Sequence, residues 1–168
     1  PTIFFFHRKL YFAKVTQKVV AFWDHFLVIG NHQGTKFGKY IYQKFKDTSS
    51  IHFLGGIFDL IKLDALRKYS SLYFHGHSVG GTNPSLLEAM ASEALIVAHY
   101  NPFNKGVLGE DAHYFTDASD VTGFIEKLEK KAFSKMIDNN TKKIRYKFSW
   151  KSVNINYLKT LVRVYQSS

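Results

Sequence analysis

Tyr73-Phe74-His75-Gly76-His77-Ser78-Val79-Gly80-Gly81-Thr82-Asn83-Pro84-Ser85-Leu86-Leu87-Glu88-Ala89-Met90 joins an apolar run, a glycine turn and a capped helix within one short segment. Asn83 is a favoured N-cap and Pro84 fits the first helical position, while Leu86, Leu87 and Met90 can face a core. A strand running through glycines into a helix start is the build of a phosphate-binding loop. The first turn offers unpaired backbone N–H groups and the positive end of the helix dipole, and Gly80 and Gly81 permit close approach of a ligand. Pro84 lacks an N–H, so the expected donors are Thr82, Asn83, Ser85 and Leu86. Glu88 lies one turn further on, and helical side chains lean back toward the amino end. A bare phosphate would be repelled by it. A ligand with both phosphate and a vicinal diol would use both halves of the site, and a nucleotide with ribose fits. The alternative is a solvated glutamate near a helix start, where the dipole favours negative charge.

Outward from this segment, apolar runs at 2–7, 25–30, 50–54, 71–75 and 95–99 read as strands. Amphipathic stretches at about 12–23, 35–46, 59–69, 84–92 and 119–131 read as helices, and Trp150, Val153, Tyr157, Leu158, Leu161 and Val162 suggest a final one. The order is βαβ throughout, which predicts an α/β fold with a Rossmann-like, doubly wound parallel sheet and right-handed crossovers. Thr2-Ile3-Phe4-Phe5-Phe6-His7 reads as a buried strand leading directly to Arg8 and Lys9, with Lys14 following. Cations at a strand's carboxyl end stand where open α/β sheets bind ligands.

The run from His75 to Met90 resembles the donor-binding loop of GT-B glycosyltransferases of the retaining, family-four type. Bacterial members that build cell-surface polysaccharides, rhamnosyltransferases among them, are the most similar. The resemblance extends to Ile51-His-Phe-Leu-Gly-Gly-Ile-Phe-Asp59 and to Ala94-Leu-Ile-Val-Ala-His-Tyr-Asn-Pro-Phe-Asn104, and covers almost the whole chain. It implies that residues 1–168 are one nucleotide-sugar-binding domain, half of a GT-B fold, whose amino-terminal acceptor domain lies outside this chain. It assigns Glu88 to the ribose hydroxyls, Ile57 and Phe58 to the base, and Arg8 and Lys14 to the pyrophosphate in place of a metal. The family's first motif glutamate falls at Gly80, so Gly80, Gly81, Thr82 and Asn83 would hold the sugar and distal phosphate largely through backbone groups. No catalytic side chain is assigned, and no cofactor is expected beyond the nucleoside-diphosphate sugar itself. The implied activity is sugar transfer to a glycan or lipid-linked acceptor in polysaccharide biosynthesis, with the isolated domain binding but not turning over. The different-class alternative is a non-catalytic sugar-nucleotide-binding or scaffold module, for which Gly80 is the main support.

Composition sets the outer bounds. The chain has 168 residues, 45% hydrophobic and 17% aromatic, which is globular and of single-domain size. It has no cysteine, which excludes disulfides, cysteine nucleophiles and cysteine-based zinc sites. The chain opens with Pro1 ahead of a buried-type strand, which suggests a piece of a longer protein. No apolar run approaches a membrane span and no signal peptide is visible, so a cytoplasmic protein is expected. The net charge of +10 is uneven: eight cations face two acids over 1–50, four face nine over 51–126, and eleven face two over 127–168. The basic run from Lys127 to Lys147 reads first as solvated surface, with contact to the inner face of an anionic membrane as the alternative. Nucleic acid has only this charge in its favour and is not expected as a partner. His75 and His77 point the same way along a strand but lack a third ligand, so no metal is expected. The doublets Gly55-Gly56 and Gly80-Gly81 match neither a dinucleotide fingerprint nor a Walker loop.

Overall fold

In the computed structural model, residues 25–167 are described in full and residues 3–7 by their backbone. The strands are β1 (Ile3–His7), β2 (His25–Ile29), β3 (Ile51–Gly55), β4 (Leu72–His75), β5 (Ile96–His99) and β6 (His113–Phe115). The helices are α1 (Lys36–Phe45), α2 (Leu60–Tyr69), α3 (Pro84–Ala91), α4 (Pro102–Leu108), α5 (Ala118–Lys127), α6 (Ser134–Tyr146) and α7 (Trp150–Gln166). One sheet of order β3-β2-β1-β4-β5-β6 carries all six strands. Strand β4 is fully buried and alternates between the two faces of this sheet, as a strand covered on both sides must. Tyr73 packs with Leu63 of α2, Leu86 and Met90 of α3, and Val107 and Leu108 of α4. Leu72 and Phe74 pack on the other face with Val121, Phe124 and Ile125 of α5 and Ile137 of α6. This is the doubly wound, Rossmann-like arrangement that the βαβ order predicts.

Strand direction departs from that expectation at one place. β2 and β3 are parallel, and so are β4, β5 and β6, but β1 runs antiparallel to both of its neighbours. Ile3 stands opposite Ile29 and His7 opposite His25, so β1 ends at the edge where β2 begins. The apolar run is uninterrupted from Ile3 to Phe6. Such a run lacks the polar alternation that would set one face apart, and it pairs equally well either way up.

Two elements arise from signals that reading the sequence for long periodic stretches passes over. Asn101 caps α4 by accepting from the Asn104 N–H at 2.9 Å, and Pro102 fills the first helical position. The short β6 follows α4 and pairs with β5. The amphipathic stretch expected at 119–131 ends as a helix at Lys127, because Leu128 is extended and a 3-10 turn follows at Lys130–Phe133.

α6 closes the amino-end edge of the sheet. Asn140 donates to the Asp111 carbonyl at 2.6 Å, Asn139 to the Asp111 carboxylate at 2.8 Å, and the Lys143 ammonium pairs with Asp111 at 2.6 Å. Against the opposing effect of its partial burial, the bonds from Lys143 and Asn139 hold the Asp111 carboxyl below its ordinary range. Asn139-Asn140-Thr141, a formal glycosylation sequon, therefore lies inside a packed helix, and its Asn139 side chain is engaged.

Candidate functional site

Because β2 through β6 share one direction, their carboxyl ends gather at one edge, the side from which the Gly76–Asn83 loop and the starts of α3 and α4 emerge. The strand order changes hand beside β4, and ligands of open α/β sheets settle outside the carboxyl ends at such a point. The loop is exposed from Ser78 to Thr82. Gly80 has φ +111°, a conformation that side-chain-bearing residues rarely adopt, while the space a Cβ would occupy is open. Backbone geometry, not crowding, therefore requires glycine where the resembled family carries its first glutamate.

The start of α3 divides its amide donors into used and open groups. Asn83 Oδ1 accepts from the Ser85 N–H at 3.0 Å and from the Ser85 hydroxyl at 2.8 Å, and the Asn83 carbonyl accepts from the Leu86 N–H at 3.0 Å. Ser85 and Leu86 are thus spent inside the helix start and buried. Among the described residues, the Thr82 and Asn83 amides have no partner, with Thr82 exposed and Asn83 half-buried. Thr82 and Asn83 remain as anion donors of the four expected from the sequence, supported by the dipole of an eight-residue helix.

Below the loop lies a polar floor. Tyr73, His75 and His77 form a run of near-parallel rings, with centroids 6.3 Å apart for the first pair and 4.6 Å for the second. Tyr73 is fully buried and its hydroxyl donates to the Ser85 carbonyl at 3.2 Å, tying β4 to the start of α3. Burial pushes that phenol up to about 12. His75 is 2% exposed, and burial, aided by His77, pushes it down to about 4, so the ring is neutral at pH 7. Its Nε2 has no hydrogen-bond partner among the described residues. Asn101 and Asn104, both buried, donate to the His77 carbonyl at 3.0 Å each and to the His99 carbonyl at 3.2 and 2.8 Å. They lock the exit of β4 to the exit of β5; the Asn-Pro capping signal at 101–102 is the sequence feature that could have located them.

Glu88 is engaged in a way its helical position does not reveal. Its Oε2 accepts from Nη2 of Arg67 on α2, and Arg67 also donates to Asp64 Oδ1 at 2.8 Å. The Arg67 side chain is 1% exposed and the Glu88 side chain 45%. Glu88 lines a groove between α2 and α3 together with Asp64, Lys68 and Ser92. The carboxylate is therefore neither a free solvated group nor aimed wholly at the loop, although Glu88 Oε1 carries no hydrogen bond among the described residues.

The remaining expected residues separate. Ile57 packs against the core below α2, whereas Phe58 is 93% exposed at the β3–α2 connection, on the same carboxyl-end edge. Leu54, Leu60 and Ile61, near it in sequence, are exposed as well. Arg8 and Lys14 lie outside the described residues. β1 ends beside His25, at the edge opposite the glycine loop, so it does not provide the parallel first strand from which their phosphate role was read.

No known family profile matches the sequence, and no curated protein matches it. Among solved structures the chain is similar to HepE of Anabaena in complex with UDP-glucose, with a TM-score of 0.61 and 16% identity over 82% of this chain and 40% of that one. The likeness shows the Rossmann-like α/β fold. The chain spans less than half the length of that neighbour.

Proposed function

We propose that this chain binds a nucleoside-diphosphate sugar and serves as the donor half of a glycosyltransferase that passes a sugar to a glycan or lipid-linked acceptor in polysaccharide biosynthesis. The observation that carries the reading is the start of α3, where two open amides, Thr82 and Asn83, adjoin a glycine held at φ +111° on the ligand-binding edge of the sheet. Glu88 lies about 7 Å further along the helix axis at the usual rise per residue, the scale that separates a ribose from the distal phosphate of its nucleotide. Phe58 on the neighbouring connection offers an exposed aromatic face for a base. HepE, of similar fold, was crystallised with UDP-glucose, which agrees with this class of ligand. The roles of Arg8 and Lys14 on the pyrophosphate, and a retaining, family-four course for the transfer, rest on the resemblance of the sequence.

Thermal denaturation with UDP, GDP, dTDP and a short oligonucleotide tests the binding. A nucleoside diphosphate should raise the midpoint and the oligonucleotide should not; stabilisation by the oligonucleotide alone would sink the proposal. Gly80 favours a second reading, a sugar-nucleotide module without transferase activity, because its backbone conformation leaves no place for the motif glutamate near the transferred sugar. Assay of sugar transfer by the longer protein containing this domain separates the two.

A further inference from the structure

Arg67 sits two turns into α2, and its guanidinium is buried against α3. A buried guanidinium needs a carboxylate partner, and Asp64 on its own helix already provides one at 2.8 Å. Asp64 is itself held by the Ser92 hydroxyl, which donates to the same Oδ1 at 2.9 Å. Glu88 adds a second carboxylate to this one guanidinium, and with its side chain 45% exposed it keeps acceptor capacity beyond the bond to Arg67. A glutamate 45% exposed on a helix ordinarily samples several rotamers and loses that freedom on binding. Here the hydrogen bond from Arg67 holds one oxygen, and the other carries no hydrogen bond among the described residues. A vicinal diol, with two O–H donors, is the chemistry that surplus acceptors on a fixed carboxylate select.

We propose that Arg67 is a positioning residue for ribose: by holding Glu88 through Oε2 it presents the rest of that carboxylate, already oriented, to the ribose hydroxyls of the donor nucleotide. This rests on the donor-site reading above and adds to it a residue on a different helix, outside the loop. The role predicts discrimination between ribose and 2′-deoxyribose that depends on Arg67, an effect that mere support of the α2–α3 packing would not produce.

Calorimetric titration of the chain with UDP, GDP and their 2′-deoxy counterparts measures it, alongside Glu88→Gln, Arg67→Met, Arg67→Lys and the double variant Arg67→Met/Glu88→Gln. The unaltered chain should prefer the ribonucleotide by roughly tenfold or more, the loss expected when one hydrogen bond to a charged group is removed. Glu88→Gln and Arg67→Met should each collapse the preference, the double variant should lose no more than either, and Arg67→Lys should restore part of it. Should Arg67→Met fail to fold, Arg67→Lys decides, since it keeps a cation beside the two carboxylates but cannot reproduce the guanidinium's fork. A folded Arg67 variant with the full ribose preference overturns the inference while leaving nucleotide binding intact. Absence of nucleotide binding by the unaltered chain overturns the donor-site reading itself, and the inference with it.

Discussion

Glu88 joins two demands in one side chain, since it neutralises a buried cation and remains open enough to meet a ligand. Glu88→Gln keeps an oxygen near Arg67 but removes its charge, so the fold should lose about 1–2 kcal/mol, Asp64 continuing to pair with the guanidinium. Urea denaturation measures this, and an unchanged midpoint would return Glu88 to a solvated helix surface. His75 supplies a second, pH-dependent test. Its folded value of about 4 lies below the ordinary 6.5, so between those limits the unfolded chain binds more protons and stability falls as pH drops from about 6.5 toward 4. The fall attributable to this ring reaches about 3 kcal/mol at the acid end. His75→Phe keeps a stacked ring but cannot titrate, and its denaturation midpoint should decline less over that interval; parallel declines would assign the titration to another histidine. At this scale the sequence was informative wherever the signal was local. Asn83 and Pro84 announce a helix start through their own chemistry, and Glu88 follows by counting one turn. Arg67 was not legible, because its partner lies 21 residues away and meets it only once α2 and α3 lie side by side.

Among the elements, α3 and its loop carry the proposed chemistry, and their geometry is sensitive to one backbone angle. Gly80→Ala adds a methyl group in open space but forces a side-chain-bearing residue to φ +111°, which should cost about 1 kcal/mol or more and displace the Thr82 and Asn83 amides. Weaker nucleoside-diphosphate binding with little change for the free nucleoside is the expected result; equal affinity for both ligands before and after would detach the loop from phosphate. β1 offers a further test, because its direction and the resemblance point different ways. If Arg8 contacts the pyrophosphate, Arg8→Ala should weaken binding of the nucleoside diphosphate far more than that of the nucleoside. Equal losses, or none, would agree with a β1 that ends at the opposite edge. Elements with strong periodicity or caps, such as α2, α3 and β4, were legible within a residue or two. α6 was not: Ser134–Tyr146 is dominated by polar residues, and it is ordered by bonds from Asn139, Asn140 and Lys143 to the Asp111 region, which local pattern does not encode. β6 is three residues long, too short for any period to declare itself.

Over the whole molecule, the basic carboxy-terminal quarter divides into cations that build the fold and cations that face solvent. Lys130 is half-buried, donates to the Lys68 carbonyl and is pushed down to about 8 by burial, while Lys143 pairs with Asp111 and donates to the Leu108 carbonyl. Neither is free to meet a partner, so the run is not the uniform charged surface that counting lysines suggests. Lys131, Lys142, Lys151 and Lys159 are exposed and do face solvent. Beside them α7 presents Trp150, Tyr157, Leu158, Leu161 and Tyr165 with 63–85% of each residue exposed. Among the described residues no helix is long and apolar enough to cross a membrane. An amphipathic helix with aromatic residues and flanking cations is nevertheless suited to lie on an anionic bilayer, where each cation near the surface adds about 1 kcal/mol. A transferase with a lipid-linked acceptor would gain from such contact. Vesicles containing anionic lipid should therefore retain the protein at low salt and release part of it as the Debye length shortens to about 8 Å at physiological ionic strength. Changing Lys131, Lys142, Lys151 and Lys159 to glutamine should abolish retention without altering stability or nucleotide affinity, since none of the four supports the sheet edge or the loop. If these substitutions leave retention unchanged, the cations are a solvated surface and electrostatic docking is wrong; if neutral vesicles bind equally well, the exposed face of α7 acts through apolar burial alone.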